Sequence, residues 1–246
     1  EIKKVKHHLY GIISVRKPFS AGEWLKLTKT KVNQCHKKNK VPIIVGGTGL
    51  YFNTITKGIS KIPNVDLTIR NKVRSLFKKV GYQNFYQELV KIDPKVKKRI
   101  LPTDSQRTQR AFEVMLKTKK SLFDWIENTK SDFINYEIKK IFLQTPRDIL
   151  LKNILRRVEQ MFENGCIQEV VNFNLLKLNK SLSANKLIGV QEINKYLDGA
   201  ISLNQCKEHI YIKTRQYAKR QNTWARGHMK NWTKLYSKDF STLLKK

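Results

Sequence analysis

Apolar positions in this chain change period several times, and the changes alternate between helix and strand spacing. Ala21 to Lys38 reads as a helix with a basic end. Val41 to Val45 is a short apolar run with β-branched residues, bounded by Pro42 near its start and Gly46-Gly47 at its end, and predicts a buried parallel strand. Leu50 to Thr56 predicts a further helix, so the segment reads as strand, loop, helix. From Val65 to about Phe133 the pattern is wholly helical, with helices over Leu67 to Val80, Tyr82 to Lys91 and Ser105 to Thr118. Ile138 to Gln144 returns to strand character, and Pro146 suits the first turn of a helix that runs to about Glu163. Gly165 ends that helix, and Ile167 to Leu176 and Ser202 to Arg226 supply the last two. The predicted organisation is an α/β core over residues 1–65 and 135–246 with a helical subdomain inserted at 66–134.

Charge narrows the partners. The 246 residues carry 50 Lys+Arg against 19 Asp+Glu, a formal charge of +31, which favours polyanions over neutral or anionic small molecules. Lysine supplies 38 of those cations, and the 12 arginines are concentrated in a few segments: Arg107 and Arg110, Arg156 and Arg157, and Arg215, Arg220 and Arg226. Guanidinium forks match phosphate oxygens better than ammonium groups do. Cys35, Cys166 and Cys206 lie far apart with no C-x-x-C, so neither a zinc site nor a disulfide framework is indicated, and a reduced, cytoplasmic compartment is expected. His7 and His8 are adjacent but have no identifiable companions, which predicts a structural role and no metal site. No apolar run approaches the roughly 20 residues of a membrane span, and the first residues show no signal-peptide pattern.

Three segments carry candidate chemistry. Gly46-Gly-Thr-Gly would present backbone N–H groups and the Thr48 hydroxyl at the carboxyl edge of a sheet, where Thr48 either meets a ligand or caps the next helix. Thr103 and Gln106 have capping-box spacing, which would start a helix at Asp104. Gln106, Arg107 and Arg110 then share its first turns while Ala111, Val114 and Met115 face inward, and the polar face is either solvated or bound to RNA. The octad Lys219 to Arg226, KRQNTWAR, closes a run of cations, amides and aromatics at helical spacing. Within it Trp224 is either buried or free to stack on a base.

The octad resembles the closing motif of the tRNA dimethylallyltransferases (tRNA isopentenyltransferases), and three further segments resemble the same family in the same order. Val41-Pro-Ile-Ile-Val-Gly-Gly-Thr-Gly-Leu-Tyr-Phe is similar to its central strand and threonine loop, Asp104-Ser-Gln-Arg-Thr-Gln-Arg-Ala-Phe-Glu-Val to its nucleic-acid-binding helix, and Phe19-Ser-Ala-Gly-Glu-Trp to the start of the helix before the central strand. The resemblance covers essentially the whole chain. It implies a P-loop NTPase-like parallel sheet with the helical insertion binding tRNA. It also implies transfer of a dimethylallyl group from dimethylallyl diphosphate, with Mg2+, to N6 of the adenine adjoining the anticodon. By the same likeness the candidate catalytic residues are Thr48, Arg157 and Arg215, the two arginines on the diphosphate. The candidate tRNA contacts are Thr48, Arg70, Gln106, Arg107, Thr108, Gln109, Arg110, Lys186, Leu187, Ile188, Gly189, Val190, Gln191, Lys219, Arg220, Gln221, Asn222, Thr223, Trp224, Ala225 and Arg226.

The chain also departs from the family pattern. Neither G-x-T-x-x-G-K-[ST] nor the Asp that follows it as general base is found, and Gly46-Gly-Thr-Gly lacks the Lys-Ser/Thr of a complete phosphate loop. The expectation is therefore a chain truncated at its amino terminus and inactive alone, with a separate amino-terminal fragment as one partner and a monomer if complete. Asn153 stands where the family has a second Arg, and Val190-Gln191 where it has Tyr followed by Lys or Arg. The competing reading is a catalytically silent RNA-binding remnant. A phosphotransferase acting on a small molecule fits worse, because its defining loop is absent and it has no need of a basic surface.

Overall fold

A computed structural model describes residues 5–179 and 182–236. In chain order its elements are α1 (Ala21–His36), α2 (Gly49–Thr56), α3 (Leu67–Ile92), α4 (Ser105–Thr118), α5 (Leu122–Glu127), β1 (Ile141–Gln144), α6 (Arg147–Glu163), α7 (Cys166–Leu175), α8 (Val190–Leu197), α9 (Leu203–His228) and β2 (Thr233–Tyr236). Short 3-10 turns occupy Pro94–Lys98 and Ser183–Lys186. The chain divides into two compact units, one formed by Glu1–Phe52 and Glu137–Lys246, the other by Asn53–Tyr136. It is a mostly helical α/β fold with one small parallel sheet.

The Asn53–Tyr136 unit is a helical cluster. Gly81 sits at φ 72° and ψ 170°, which breaks α3 at the point where the periodicity predicts two helices. The break lets Val73 on one half and Phe85, Tyr86 and Leu89 on the other converge on Ala111 and Phe112 of α4 and Phe123 of α5. Complete burial of Phe85 and Leu89 stabilises the unit by roughly 1.5–3 kcal/mol per side chain. Buried polar side chains of the unit find partners within it: the Tyr86 hydroxyl donates to the Ile100 carbonyl at 3.0 Å, and the Ser121 hydroxyl to Asp93 at 2.8 Å, whereas the buried Arg70 Nε has none among the described residues.

In the other unit, α1 starts at a reciprocal cap. The Ser20 hydroxyl accepts from the Glu23 amide, and the Glu23 carboxylate accepts from the Ser20 amide at 2.8 Å. Val158 of α6, Cys166 and Val170 of α7, Ile193 of α8 and Cys206 and Ile210 of α9 form one core. Strands β1 and β2 pair in parallel, Ile141 opposite Thr233 through Gln144 opposite Tyr236.

Val41 to Val45 corrects the expectation of a buried parallel strand. It joins no ladder among the described residues, and Val41, Ile43 and Val45 are 87, 81 and 79 % exposed, with Pro42 and Ile44 half-buried between them. Alternation with period two persists, but β1 takes β2 as its neighbour, and a run without a hydrogen-bonding neighbour is not a strand. β2, made of Thr233 to Tyr236, has too weak an apolar pattern to be legible in advance. α8 is a further element that the sequence reading does not contain, although Val190, Ile193 and Leu197 fall at helical spacing; it is only eight residues long.

Candidate functional site

Gly46-Gly-Thr-Gly runs directly into α2, and α9 lies against it. The Gln221 side-chain amide donates from Nε2 to the Gly47 carbonyl at 3.1 Å. A Cβ on Gly47 would fall 2.0 Å from that nitrogen, and one on Gly49 would fall 2.3 Å from the Trp224 indole. At Gly49 this closeness to a rigid ring calls for glycine, whereas at Gly47 a Cβ would displace the flexible end of the Gln221 side chain and break its hydrogen bond. Trp224 is half-buried and stacks parallel to the His228 ring, with centroids 4.4 Å apart. Two segments 170 residues apart in sequence thus form one feature, from Gly49 to Lys219. Thr48 stands exposed in the middle of it, and its hydroxyl makes no hydrogen bond to the described residues. It does not cap α2 with its side chain; its carbonyl accepts the Tyr51 amide at 3.0 Å. Tyr51 in turn stacks on Trp24 of α1, centroids 4.4 Å apart and planes 8° from parallel.

The octad presents two faces. Lys219, Arg220, Asn222, Thr223 and Arg226 are exposed, whereas Ala225 is buried and offers no side chain to a ligand. The Arg220 guanidinium lies 5.7 Å over the Tyr217 ring, and no carboxylate among the described residues pairs with Lys219 or Arg220. Arg215 is exposed on the same helix above Tyr211, and Arg157 is exposed on α6 beside the buried Val158. Asn153 accepts a 3.4 Å hydrogen bond from Arg156, so the position that departs from the family pattern is neutral and engaged locally.

At Lys186 to Gln191, the turn is held from below. Gly189 is buried at φ 107°, and Ile188 and Val190 pack on the core, while Lys186, Leu187 and Gln191 point to solvent. The Glu192 carboxylate accepts from the Gly189 amide at 2.9 Å and pairs with Lys213 of α9. Burial pushes this carboxyl up, but Lys213 and the Gly189 N–H outweigh it and leave it below its ordinary value. Glu192 was not singled out in the sequence, although its place three residues after Gly189 is the spacing of a capping box. Cys206 beneath it is pushed up to about 11 by burial, which makes its thiol inert.

In the helical unit, α4 is capped differently from the expectation. The Asp104 carboxylate accepts the Arg107 amide at 3.1 Å, so Asp104, not Thr103, is the capping side chain. Gln106 and Arg107 are exposed, and Gln109 and Arg110 are half-buried. Thr108 is turned inward at 1 % exposure, its hydroxyl donating to the Asp104 carbonyl at 2.7 Å, which removes it from the outer surface. Arg107 and Arg110 already face carboxylates at 3.3 and 3.2 Å, Asp104 and Glu113. Arg70, in the first turns of α3, has a buried Nε without a partner among the described residues. No three His, Cys, Asp or Glu among the described residues converge as a metal site.

The IPP transferase family profile matches residues 1–228. The chain belongs to the IPP transferase family. It is 47 % identical over 235 residues to a tRNA dimethylallyltransferase of Pelagibacter ubique (strain HTCC1062), covering 96 % of this chain and 75 % of that one. A tRNA dimethylallyltransferase of Wolbachia pipientis subsp. Culex pipiens (strain wPip) is 38 % identical over 231 residues, 93 % of this chain and 77 % of the relative. Among solved structures, the full-length tRNA isopentenylpyrophosphate transferase from Bacillus halodurans superposes with a TM-score of 0.63 at 30 % identity, covering 96 % of this chain and 73 % of that one. A eukaryotic dimethylallyltransferase superposes with a TM-score of 0.75 at 23 % identity over 93 % of this chain and 59 % of that one, which is a likeness of fold. No helix among the described residues of this IPP transferase is long and apolar enough to cross a membrane.

Proposed function

We propose that this IPP transferase moves a dimethylallyl group from dimethylallyl diphosphate to N6 of the adenine adjoining the anticodon of a tRNA. The observation that carries the reading is the Gly46–Gly49 loop seated on the α9 octad, with an exposed Thr48 whose hydroxyl makes no hydrogen bond to the described residues, and with exposed cations on the outer side of that octad. In the reaction the N6 lone pair attacks the first carbon of the prenyl group, the carbon–oxygen bond to diphosphate breaks, and N6 loses a proton. The adenine must leave its stack to be reached, at a cost of a few kcal/mol. Thr48 serves the reacting neighbourhood, and Arg157 and Arg215 stabilise the departing diphosphate by charge. Lys186, Leu187, Gln191, Lys219, Arg220, Asn222, Thr223 and Arg226 offer exposed side chains for tRNA. In the helical unit Arg70, Gln106, Arg107, Gln109 and Arg110 serve the same partner. Neither a phosphate loop nor an identified proton acceptor occurs in the 246 residues, so no step is assigned to them here.

The test is to incubate the chain with unmodified tRNA and dimethylallyl diphosphate, alone and mixed with the phosphate-loop segment of a related enzyme. Prenylated adenine, read by mass spectrometry of the digested tRNA, is expected from the mixture and not from the chain alone. Binding of the anticodon stem-loop without product in the mixture would favour the silent RNA-binding remnant. Neither binding nor product would overturn both readings.

A further inference from the structure

We infer that Gln221 and Trp224 are positioning residues that fix Thr48, rather than side chains that touch RNA. The inference deepens the proposed function and rests on Thr48 working beside the reacting adenine. Gln221, Trp224, Ala225 and His228 fall at i, i+3, i+4 and i+7 on α9, which is one helix face. Gln221 holds the Gly47 carbonyl at 3.1 Å, and the Trp224 indole lies so close to Gly49 that a Cβ there would come within 2.3 Å. The residues on either side of Thr48 are therefore each held by one α9 side chain, and Thr48 projects between them.

The same contacts make base stacking by Trp224 unfavourable. Its ring is covered by His228 at a centroid separation of 4.4 Å with planes 1° apart, and Gly49 packs on it as well. The His228 Nδ1 lies 3.0 Å from the Trp224 carbonyl, which fixes the covering ring. What the octad leaves for RNA is its other side, where Lys219, Arg220, Asn222 and Thr223 are exposed. A loop rich in glycine has many accessible conformations, and two fixed points remove most of them. That is how an exposed hydroxyl without a hydrogen bond of its own can hold one place.

A double-mutant cycle separates positioning from contact. Gln221→Leu removes the donor at nearly constant size, and amide hydrogen exchange over residues 46–49 should rise about three- to tenfold, the range that loss of one hydrogen bond implies. Anticodon stem-loop affinity, and product formation in the reconstituted mixture, should fall in Gln221→Leu but fall no further when Thr48→Ala is already present. Thr223→Ala, on the outward face, should add its effect to that of Thr48→Ala. Gly47→Ala attacks the same contact from the loop side and should reproduce the Gln221→Leu result, which keeps the test open if either variant folds poorly. Unchanged exchange in the loop, or additive losses for Gln221→Leu and Thr48→Ala, would overturn the inference. A parent chain that fails to bind the stem-loop would instead count against the proposed function, while the exchange measurement still reads the clamp.

Discussion

Glu192 shows at the residue scale how a buried carboxylate can organise a turn. Its side chain is 5 % exposed, yet it accepts one backbone N–H and one ammonium, so the negative charge is matched on two sides. Glu192→Gln keeps an acceptor for Gly189 but removes the charge facing Lys213, and should cost about 1–3 kcal/mol at neutral pH. The sign of the pH effect follows from the carboxyl lying below its ordinary 4.5. A group with a depressed folded-state pKa contributes stability that is present above the unfolded value and lost as pH falls through the folded one. The difference in melting temperature between parent and Glu192→Gln should therefore be full at pH 7 and shrink below about pH 4.5. A difference that stays constant down to pH 3 would show that the charge is not what Glu192 contributes.

At the element scale, α4 separates local from tertiary causes. Its limits, Ser105–Thr118, are those the periodicity predicts, because Ala111, Phe112 and Val114 bury one face of a segment with strong helix formers. Its cap is a finer matter. Thr103 and Gln106 have the spacing of a capping box, but the backbone places Asp104 at the cap, and its carboxylate reaches the Arg107 amide. Asp104→Ala should cost about 1 kcal/mol of stability and Thr103→Ala close to nothing, as read by chemical denaturation. Equal losses for the two would restore the threonine as a cap. Strand character behaves in the opposite way: Ile141–Gln144 forms β1 because Thr233–Tyr236 lies beside it, while the more β-branched Val41 to Val45 finds no such neighbour among the described residues. A helix closes its hydrogen bonds within itself, whereas a strand depends on a distant segment.

For the whole molecule, the charge of +31 makes electrostatics the first determinant of affinity for a polyanion. Binding of an anticodon stem-loop should weaken steeply with salt, with a log–log slope of about −0.7 to −0.9 per phosphate neutralised. Replacing Arg107 and Arg110 together by Ala should flatten that slope by about one unit. The effect is smaller than two free cations would give, because each guanidinium already faces a carboxylate on its own helix. A slope that does not change would remove α4 from the interface.

The sequence by itself determined the longer helices, the basic character and the family. Helical periodicity, capping residues and charge are written over short stretches, and four motifs in order are specific even though each alone is weak. The glycine loop and the octad were both visible as motifs. Only the tertiary structure decided that they touch, that Gln221 and Trp224 turn toward the loop while Lys219 and Arg220 turn away, that Thr108 is buried and that Glu192 supports the turn at Gly189. The physical reason is one of range. Propensity and periodicity act over a few residues, but the direction a polar side chain faces is fixed by which distant backbone carbonyl or ammonium lies within about 3 Å of it, and that distance exists only in the folded chain.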